Sequence, residues 1–507
     1  MVAVAPMARS CGSGGARPWR AVCGLVAALL LACLALPVGA TAGATQQVLI
    51  EDEHHLLELS RPEQLHALDQ MQELGVDKIR AVVWWRYLLA HPRARAKPHA
   101  NPADPGSALY SPSRWAMLDS LVTETRRRGI ALMLDPASAS GLAGTRLHLP
   151  RWARLPSGSP RIRQFALFVR AIGLRYSGRY APSGRASLPR VHEWSVWNEP
   201  NSRPFLTPQW RRIEGVPVPW SPVLYRRIYN AAARALRSTG HESDRIYFGE
   251  TSATGGNRPF SSIAPATFVR ELSCLDPDLQ PYRGAEALRR RCGGYRPLDT
   301  DGLATHFYSG VDGTVSALEL NSNPTIWVPG DPARPAGLLD RIAARGRLPS
   351  DLPVYNTEAG FQSHSARVPM LAEDEQARDL NIAEYLQWRD PSVASFAQYL
   401  LYDDPAWFTG LRFINGRAKE AYFAFRMPIV VRDLHDGFVE VWGASYRRGP
   451  GRPTEILANG FPATVQVPSN PRGYYHVVLR GGDGTTFQAV DLLRGYRSRL
   501  ALATPGL

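Results

Sequence analysis

The feature that most constrains the fold of this sequence is a regular alternation of short β-branched runs with longer stretches of helical periodicity. We predict strands at residues 48–50, 78–84, 130–134, 191–196, 245–249, 302–306, 352–357 and 393–401, and helices at residues 62–74, 115–128, 162–176, 222–236, 265–275, 337–344, 374–388 and 419–426. Such alternation is typical of a parallel sheet. Eight units predict an α/β fold closed into a (β/α)8 TIM barrel, and an open doubly wound sheet is the alternative. No glycine-rich phosphate loop opens any of these helices, which disfavours a nucleotide-binding fold.

The pattern changes after residue 428. Short strand-like runs at residues 438–442, 454–457, 464–467, 474–479 and 487–490 are separated by Gly, Pro and Asn turns, which predicts a small all-β sandwich. The predicted organisation is therefore a leader at 1–44, a barrel at 45–427 and a β-sandwich domain at 428–507. The sandwich either packs against the barrel or binds carbohydrate.

The first 44 residues have the pattern of an export signal. Three arginines precede an apolar run at residues 21–38, and small residues at 42–44 offer a cleavage site near Ala44. We therefore predict a secreted, extracellular or cell-envelope protein. A membrane-spanning helix is one alternative, and a lipid anchor on Cys33 is another, although the apolar run continues past Cys33.

Cysteine usage agrees with export. Three of the five cysteines lie in the leader, so Cys274 and Cys292 are the two that remain in the mature chain. An exported protein with two thiols predicts one disulfide, and two unpaired buried cysteines are the alternative.

The net charge is strongly positive, +14 for the whole chain, and the leader supplies three of its basic residues. The positive charge is nearly all arginine scattered along the chain, whereas a nucleic-acid site needs basic residues clustered on one face. We therefore expect no nucleic-acid partner. Attraction to acidic polysaccharide remains open, and the sequence does not indicate an oligomeric state.

Two predicted strands end in a carboxylate. Residues 193–201 read EWSVWNEPN and carry Glu199, and residues 353–361 read PVYNTEAGF and carry Glu358. In a barrel, side chains at the C-terminal ends of strands face the substrate site. Hydrolysis of an acetal requires two such carboxyl groups, one to protonate the leaving oxygen and one to attack or polarise the anomeric carbon. Neither step needs a cofactor or a metal.

Together these two segments resemble the clan A glycoside hydrolases, and most closely the enzymes of families 39 and 5. The resemblance implies that Glu199, at the end of the fourth strand, is the acid/base and that Glu358, at the end of the seventh, is the nucleophile. It implies retention of configuration and a β-linked oligo- or polysaccharide substrate. The overall organisation matches over about residues 48–427, whereas the specific motifs are confined to strand ends.

The same resemblance assigns four other strand-end residues. Arg80 on the second strand would support the nucleophile, and Asn198 would bind the sugar 2-hydroxyl. His306 and Tyr308, at the end of the sixth strand, would orient the nucleophile and the sugar. An ordinary buried ion pair is the alternative role of Arg80.

Aromatic residues near the strand ends could stack on sugar rings. The candidates are Trp85, Trp197 and Trp407, each of which could instead pack in the core. Many clan members have a tryptophan on the eighth strand, where this sequence has Phe396 and Tyr399. We expect Trp407, in the following loop, to take that place.

The retaining mechanism predicts carboxyl groups about 5–5.5 Å apart. Glu199 would be protonated and Glu358 ionised at working pH. A carbohydrate-binding protein on a degenerate barrel and a transglycosidase that uses the same residues are the alternative functions.

Overall fold

The structure is a computed structural model that describes residues 43–507, except residues 44, 140–147, 156, 257, 311, 364–369 and 465. All of the predicted leader but Gly43 lies outside the described residues. The chain from Gly43 to Leu507 forms one compact unit. Among the helices described here, none combines the length and the apolar character needed to cross a membrane.

Eight parallel strands form a closed barrel, which confirms the predicted fold class and rules out the open sheet. The strands are β1 (Gln47–Glu51), β2 (Lys78–Trp84), β3 (Ala131–Ala137), β4 (Glu193–Ser195), β5 (Arg245–Thr251), β6 (Leu303–His306), β7 (Val354–Glu358) and β8 (Val393–Tyr399). They lie in chain order around the barrel, and β1 pairs with both β2 and β8 to close it. A hairpin, Trp210–Ile213 and Val216–Pro219, lies between β4 and β5 in the chain.

Helices connect the strands, and their ends follow local capping chemistry. They are α1 (Arg61–Glu73), α2 (Trp85–Leu88), α3 (Pro112–Arg128), α4 (Ile162–Arg175), α5 (Ser221–Arg237), α6 (Pro265–Leu272), α7 (Gly284–Arg289), α8 (Ala333–Ala343), α9 (Glu373–Arg389) and α10 (Glu420–Arg426). The amide of Ser60 donates to the Glu63 carboxylate (2.8 Å), which closes a capping box at the start of α1. Helix α3 ends at Gly129, whose φ of +72° suits a residue without a Cβ.

The C-terminal region is all-β, as predicted. Its strands are β9 (Ile429–His435), β10 (Phe438–Ala444), β11 (Thr454–Ala458), β12 (Phe461–Thr464), β13 (Tyr474–Arg480) and β14 (Phe487–Asp491). They form two antiparallel sheets, β9-β10-β13 and β12-β11-β14, and side chains from both, such as Val441 and Ile456, share one buried core. Strand β9 was not predicted, and β12 lies about three residues before the predicted run at 464–467.

The sandwich packs on helix α9 of the barrel. The Trp388 ring lies 5.8 Å from the ring of Trp442 and 6.4 Å from that of Tyr474. Arg448 of the sandwich is buried and pairs with Glu384 of α9 (2.9 Å). These contacts show that the C-terminal domain packs against the barrel.

A disulfide joins Cys274 to Cys292. It connects the turn that follows α6 to the turn that follows α7. The pairing is the one expected from the cysteine count. It links the two ends of the segment that contains helix α7.

Candidate active site

The two glutamates singled out by the sequence meet at the C-terminal end of the barrel. Glu199 lies four residues beyond the end of β4, and Glu358 is the last residue of β7. A carboxylate oxygen of one lies within 4.8 Å of a carboxylate oxygen of the other. Their side chains keep 15% and 12% of their surface exposed, so both can be reached from outside.

The backbone that carries Glu199 is held in an unusual conformation. Trp197 and Glu199 have φ values of +75° and +44°, a region that costs a residue with a Cβ about 1–2 kcal/mol. The Glu199 amide donates to the carbonyl of Glu250 at the end of β5 (2.9 Å). Two residues further on, the Asn201 amide group donates to the carbonyl of Ser252 (3.0 Å). These bonds tie the loop after β4 to the loop after β5 and fix the position of the Glu199 carboxylate.

Arg80, on β2, links the nucleophile candidate to Asn198. Its Nη1 donates to Glu358 Oε2 (3.2 Å), and its Nη2 donates to Asn198 Oδ1 (2.7 Å). Because the Asn198 oxygen is occupied in this way, its amide N–H groups are left as donors for a ligand. The guanidinium is fully buried, and it gives Glu358 a cationic partner.

Three further carboxyl groups surround the same guanidinium. Asp135 accepts from Nη2 (2.9 Å), Glu51 accepts from Nη1, and Glu250 Oε2 lies 3.3 Å from Nη2. All three are buried. Burial, and beyond it the charge of Glu250, raises the pKa of Asp135 to about 7, although Arg80 acts against them.

His306 and Tyr308 lie beside the two glutamates. His306 Nδ1 is 3.0 Å from Glu199 Oε1 and 3.5 Å from Glu358 Oε2, and the Tyr308 hydroxyl donates to Glu358 Oε1 (2.9 Å). Burial alone would lower the pKa of His306. The charge of Glu358 and the hydrogen bonds with Glu199 and Glu250 outweigh burial and raise this pKa to about 10.

Trp85 does not lie at the mouth of the barrel. Its indole is fully buried, stacks on Phe168 (5.5 Å between centroids) and contacts Trp152 edge-on (5.9 Å). Successive residues of a strand point to opposite faces, so Trp84, four positions after Arg80, shares the inward face. Trp84 is half-buried and stacks on Phe205 (6.0 Å). Trp85, expected to contact the sugar, therefore has a core position, and Trp84, one residue earlier, lies on the inward face.

Of the other two aromatic candidates, only Trp407 lies beside residues of the candidate site. Its half-buried ring is 6.4 Å from the ring of Tyr308 and 5.8 Å from that of Tyr399. Trp197 is fully buried and packs edge-on against Phe165 (5.2 Å), so it has a core position.

Sequence reasoning missed the buried acids of the cluster, above all Glu250. This residue lies near the end of β5 and Asp135 near the end of β3. The rule that found Glu199 and Glu358, a carboxylate at the C-terminal end of a strand, would have found both had those strands been predicted one residue longer.

The close spacing of these donor atoms reflects hydrogen bonding among acids. Donor atoms of Glu199, His306 and Glu358 all lie within 4.8 Å of one another. Both ring nitrogens of His306 already face carboxyl groups, Nδ1 toward Glu199 (3.0 Å) and Nε2 toward Glu250 (3.2 Å).

The sequence matches no protein-family model and no curated protein. Among solved structures, the chain is similar to a GH39 β-xylosidase from Caulobacter crescentus, with 16% identity over 83% of each chain and a TM-score of 0.45. It is also similar to GH5_18 from Streptomyces cattleya in complex with GlcNAc, with 16% identity, 75% of this chain and 78% of that chain covered, and a TM-score of 0.45. A third is the family 1 β-glucosidase from Thermotoga maritima, with 13% identity, 69% and 80% covered, and a TM-score of 0.43. These neighbours include families 39 and 5, the two that the sequence motifs resemble. The barrel itself follows from the strand pairing.

Proposed function

We propose that this protein is a retaining glycoside hydrolase that cleaves O-glycosidic bonds, with Glu199 as the acid/base and Glu358 as the nucleophile. The observation that carries the proposal is the approach of their carboxylate oxygens to within 4.8 Å at the C-terminal end of the barrel. Retaining enzymes hold these groups about 5–5.5 Å apart, whereas inverting enzymes separate them by about 6.5–9.5 Å to admit a water molecule.

The surroundings of the two glutamates support this division of roles. Glu358 accepts hydrogen bonds from Arg80 (3.2 Å) and Tyr308 (2.9 Å), one donor on each oxygen. These two donors fix the orientation of the Glu358 carboxylate, which suits a nucleophile. Among the described contacts, the Glu199 carboxylate has one side-chain hydrogen-bond partner, His306 (3.0 Å from Oε1), and Oε2 is left for the substrate.

Hydrolysis would proceed in two displacements. Glu199 gives its proton to the leaving glycosidic oxygen while Glu358 attacks the anomeric carbon and forms a glycosyl ester. Glu199, now ionised, takes a proton from water, whose oxygen attacks the same carbon and releases Glu358. Asn198, through its free amide N–H groups, would bind the sugar 2-hydroxyl, a contact that strengthens in the transition state. Trp407 and Trp84 would supply apolar surface for the sugar rings.

The substrate we propose is a β-linked glycan outside the cytoplasm. The leader pattern at residues 1–44 and the Cys274–Cys292 disulfide both support export, because disulfides persist in oxidising compartments. The mature chain would begin after Ala44.

The test is turnover of a panel of aryl β-glycosides and polysaccharides by the mature chain, with Glu199→Gln and Glu358→Gln as variants. We expect wild-type turnover with retained anomeric configuration in the first product, followed by NMR, and a loss of more than about a thousandfold in each variant. The matched control is Glu193→Gln, because Glu193 is the first residue of β4, at the opposite end of the barrel, where it pairs with Lys78.

Two outcomes would reject the proposal. An inverted product would contradict retention. Absence of turnover, combined with sugar binding that neither substitution alters, would make the protein a carbohydrate-binding protein. Products longer than the substrate at high substrate concentration would instead indicate transglycosylation by the same two residues.

A further inference from the structure

Glu250 is a buried carboxylate at the centre of the site, and the proposed reaction does not yet use it. Its side chain is fully buried. Its Oε2 accepts from Thr357 Oγ1 (2.6 Å) and lies 3.2 Å from His306 Nε2 and 3.3 Å from Arg80 Nη2. Its carbonyl accepts from the amide of Glu199 (2.9 Å), and its own backbone has a φ of +49°. A strained, buried charge that contacts this many site residues indicates a functional constraint.

The His306 ring bridges Glu250 and the catalytic pair. Its Nε2 faces Glu250 (3.2 Å), while its Nδ1 faces Glu199 (3.0 Å) and Glu358 (3.5 Å). All three partners of the ring are therefore carboxyl groups, which are acceptors when ionised. A ring with acceptors at both nitrogens fits an imidazolium, because only this form donates from both.

We propose that Glu250 is a positioning residue that keeps His306 doubly protonated, so that Nδ1–H donates to Glu199 and leaves the catalytic proton on the other oxygen of that glutamate. The inference rests on the proposed function in one respect, the role of Glu199 as the acid. The contact between Glu250 and His306 does not depend on that role.

The charge on the ring decides where the acid keeps its proton. If His306 were neutral with its proton on Nε2, toward Glu250, then Nδ1 would have a lone pair facing Glu199. Glu199 would donate its proton to that lone pair and would not hold it ready for the leaving oxygen. A charged ring has no lone pair to offer, so Oε1 of Glu199 accepts and Oε2 carries the proton.

The charge of Glu250 is the one that supports a protonated His306. Arg80 Nη2 lies 3.3 Å from Glu250 Oε2 and 2.9 Å from Oδ2 of Asp135, which is on β3. Burial alone would raise the pKa of Glu250, but Arg80 and the hydrogen bond with His306 lower it to about 2, so it stays ionised. Glu250 thus supplies a permanent negative charge on the side of the ring away from the substrate.

The test compares Glu250→Gln with Asp135→Asn in the pH profile of kcat/KM on an aryl glycoside. Both substitutions remove a carboxylate near Arg80 Nη2, but of the two residues only Glu250 contacts His306. We expect Glu250→Gln to move the alkaline limb toward acid pH by about one to three units, the effect of removing an opposite charge at this distance. Asp135→Asn, which removes no contact of His306, should move that limb less than Glu250→Gln does. Equal displacement of the limb in both variants, or in neither, overturns the proposal.

A second measurement does not need activity. In protein labelled with 15N-histidine, the signal absent from His306→Gln identifies His306 and reports the protonation of each ring nitrogen. We expect both nitrogens to be protonated at pH 8 in the wild-type protein, and one of them to lose its proton below that pH in Glu250→Gln. A wild-type His306 with one bare nitrogen at pH 8 overturns the proposal whether or not any glycoside is turned over. Absence of turnover with a doubly protonated ring would reject the proposed function and leave the role of Glu250 standing.

Discussion

Arg448 is predicted to hold the sandwich on the barrel, and its loss should destabilise the whole chain. The guanidinium is buried and donates to both oxygens of Glu384 (2.9 and 3.1 Å), to the carbonyl of Leu74 (3.1 Å) and to that of Phe425 (2.9 Å). Replacement by Met keeps most of the volume but leaves Glu384, among the described contacts, with the Tyr474 hydroxyl (2.8 Å) as its donor. Removing one partner of a buried ion pair costs about 3–5 kcal/mol, because the other charge stays buried without compensation.

The size of this effect should depend on pH. Burial raises the pKa of Glu384, against the opposing effect of Arg448. Without Arg448 that pKa rises further, so the carboxyl takes up a proton and part of the cost disappears in acid. We therefore expect Arg448→Met to lower the free energy of unfolding by about 3–5 kcal/mol at pH 8 and by less at pH 5. Guanidinium chloride unfolding, followed by tryptophan fluorescence at both pH values, measures the difference.

Two controls test the argument. The double variant Arg448→Met with Glu384→Gln should recover much of the loss, since no uncompensated charge remains. Arg289→Met breaks a half-buried contact with Glu286 and should change the unfolding midpoint much less, because Glu286 keeps its contact with Arg290. An Arg448→Met protein within about 1 kcal/mol of wild type at pH 8 would refute the reasoning, because surface substitutions have effects of that size.

Four further outcomes are expected. Tyr308→Phe should lower kcat/KM on aryl glycosides by about 10- to 100-fold, because a hydrogen bond to an ionised nucleophile contributes about 1.5–3 kcal/mol; an unchanged value would show that the contact has no part in the reaction. Trp407→Ala should raise KM by about two- to tenfold with a smaller change in kcat, since an aromatic contact contributes about 0.5–1.5 kcal/mol. Burial raises the pKa of Asp135 to about 7, whereas the unfolded value is about 3.9. The stability that its bound proton confers is therefore complete below about pH 4 and is lost as the pH rises through 7. Asp135→Asn should flatten the fall in Tm between pH 5 and 8. Replacing Cys274 and Cys292 by Ser should lower the free energy of unfolding by about 3 kcal/mol in guanidinium chloride, because the bond closes a loop with a sequence separation of 18.

The position of the proposed catalytic pair could be predicted because it depends on the order of the strands. Once eight βα units are recognised, the C-terminal ends of all strands must lie at one face of the barrel. Glu199 and Glu358, three units apart in the chain, then point toward a common centre, and so do Arg80, His306 and Tyr308. Hydrophobic periodicity supplies the strand order, whereas the choice of Arg80, His306 and Tyr308 came from the resemblance to the clan A glycoside hydrolases.

The buried acids could not be predicted because they depend on where each strand ends. Gly249 and Pro136 are residues that usually interrupt a strand, so the predicted strands stopped just short of Glu250 and Asp135. In the barrel, pairing overrides that local preference: β3 continues through Pro136, which is in register with Val83 of β2, and β5 extends past Gly249. Tertiary contacts decided these boundaries, and they are not visible in a local pattern.

The choice between Trp84 and Trp85 depended on which face of the strand each residue occupies. Trp84 and Trp85 are adjacent, and periodicity over the whole strand does not distinguish them. Taking Arg80 as inward-facing would have selected Trp84 by alternation. Strand β9 was missed for another reason, because Ile429–His435 directly follows helix α10 without a long linker to mark a new element.

The crowding of carboxyl groups around Arg80 has a consequence for the charge of this centre. The chain as a whole is basic, yet the centre gathers Glu51, Asp135, Glu250 and Glu358 around one guanidinium. Burial raises the pKa of Glu51 and of Asp135, so these two carboxyl groups hold protons in acid, while Arg80 and a protonated His306 offset the charges of Glu250 and Glu358. Positive and negative charges therefore nearly balance there, inside a positively charged molecule. Because Asp135 loses its proton as the pH rises through about 7, the charge of the centre becomes more negative near neutrality while the outside of the molecule stays basic.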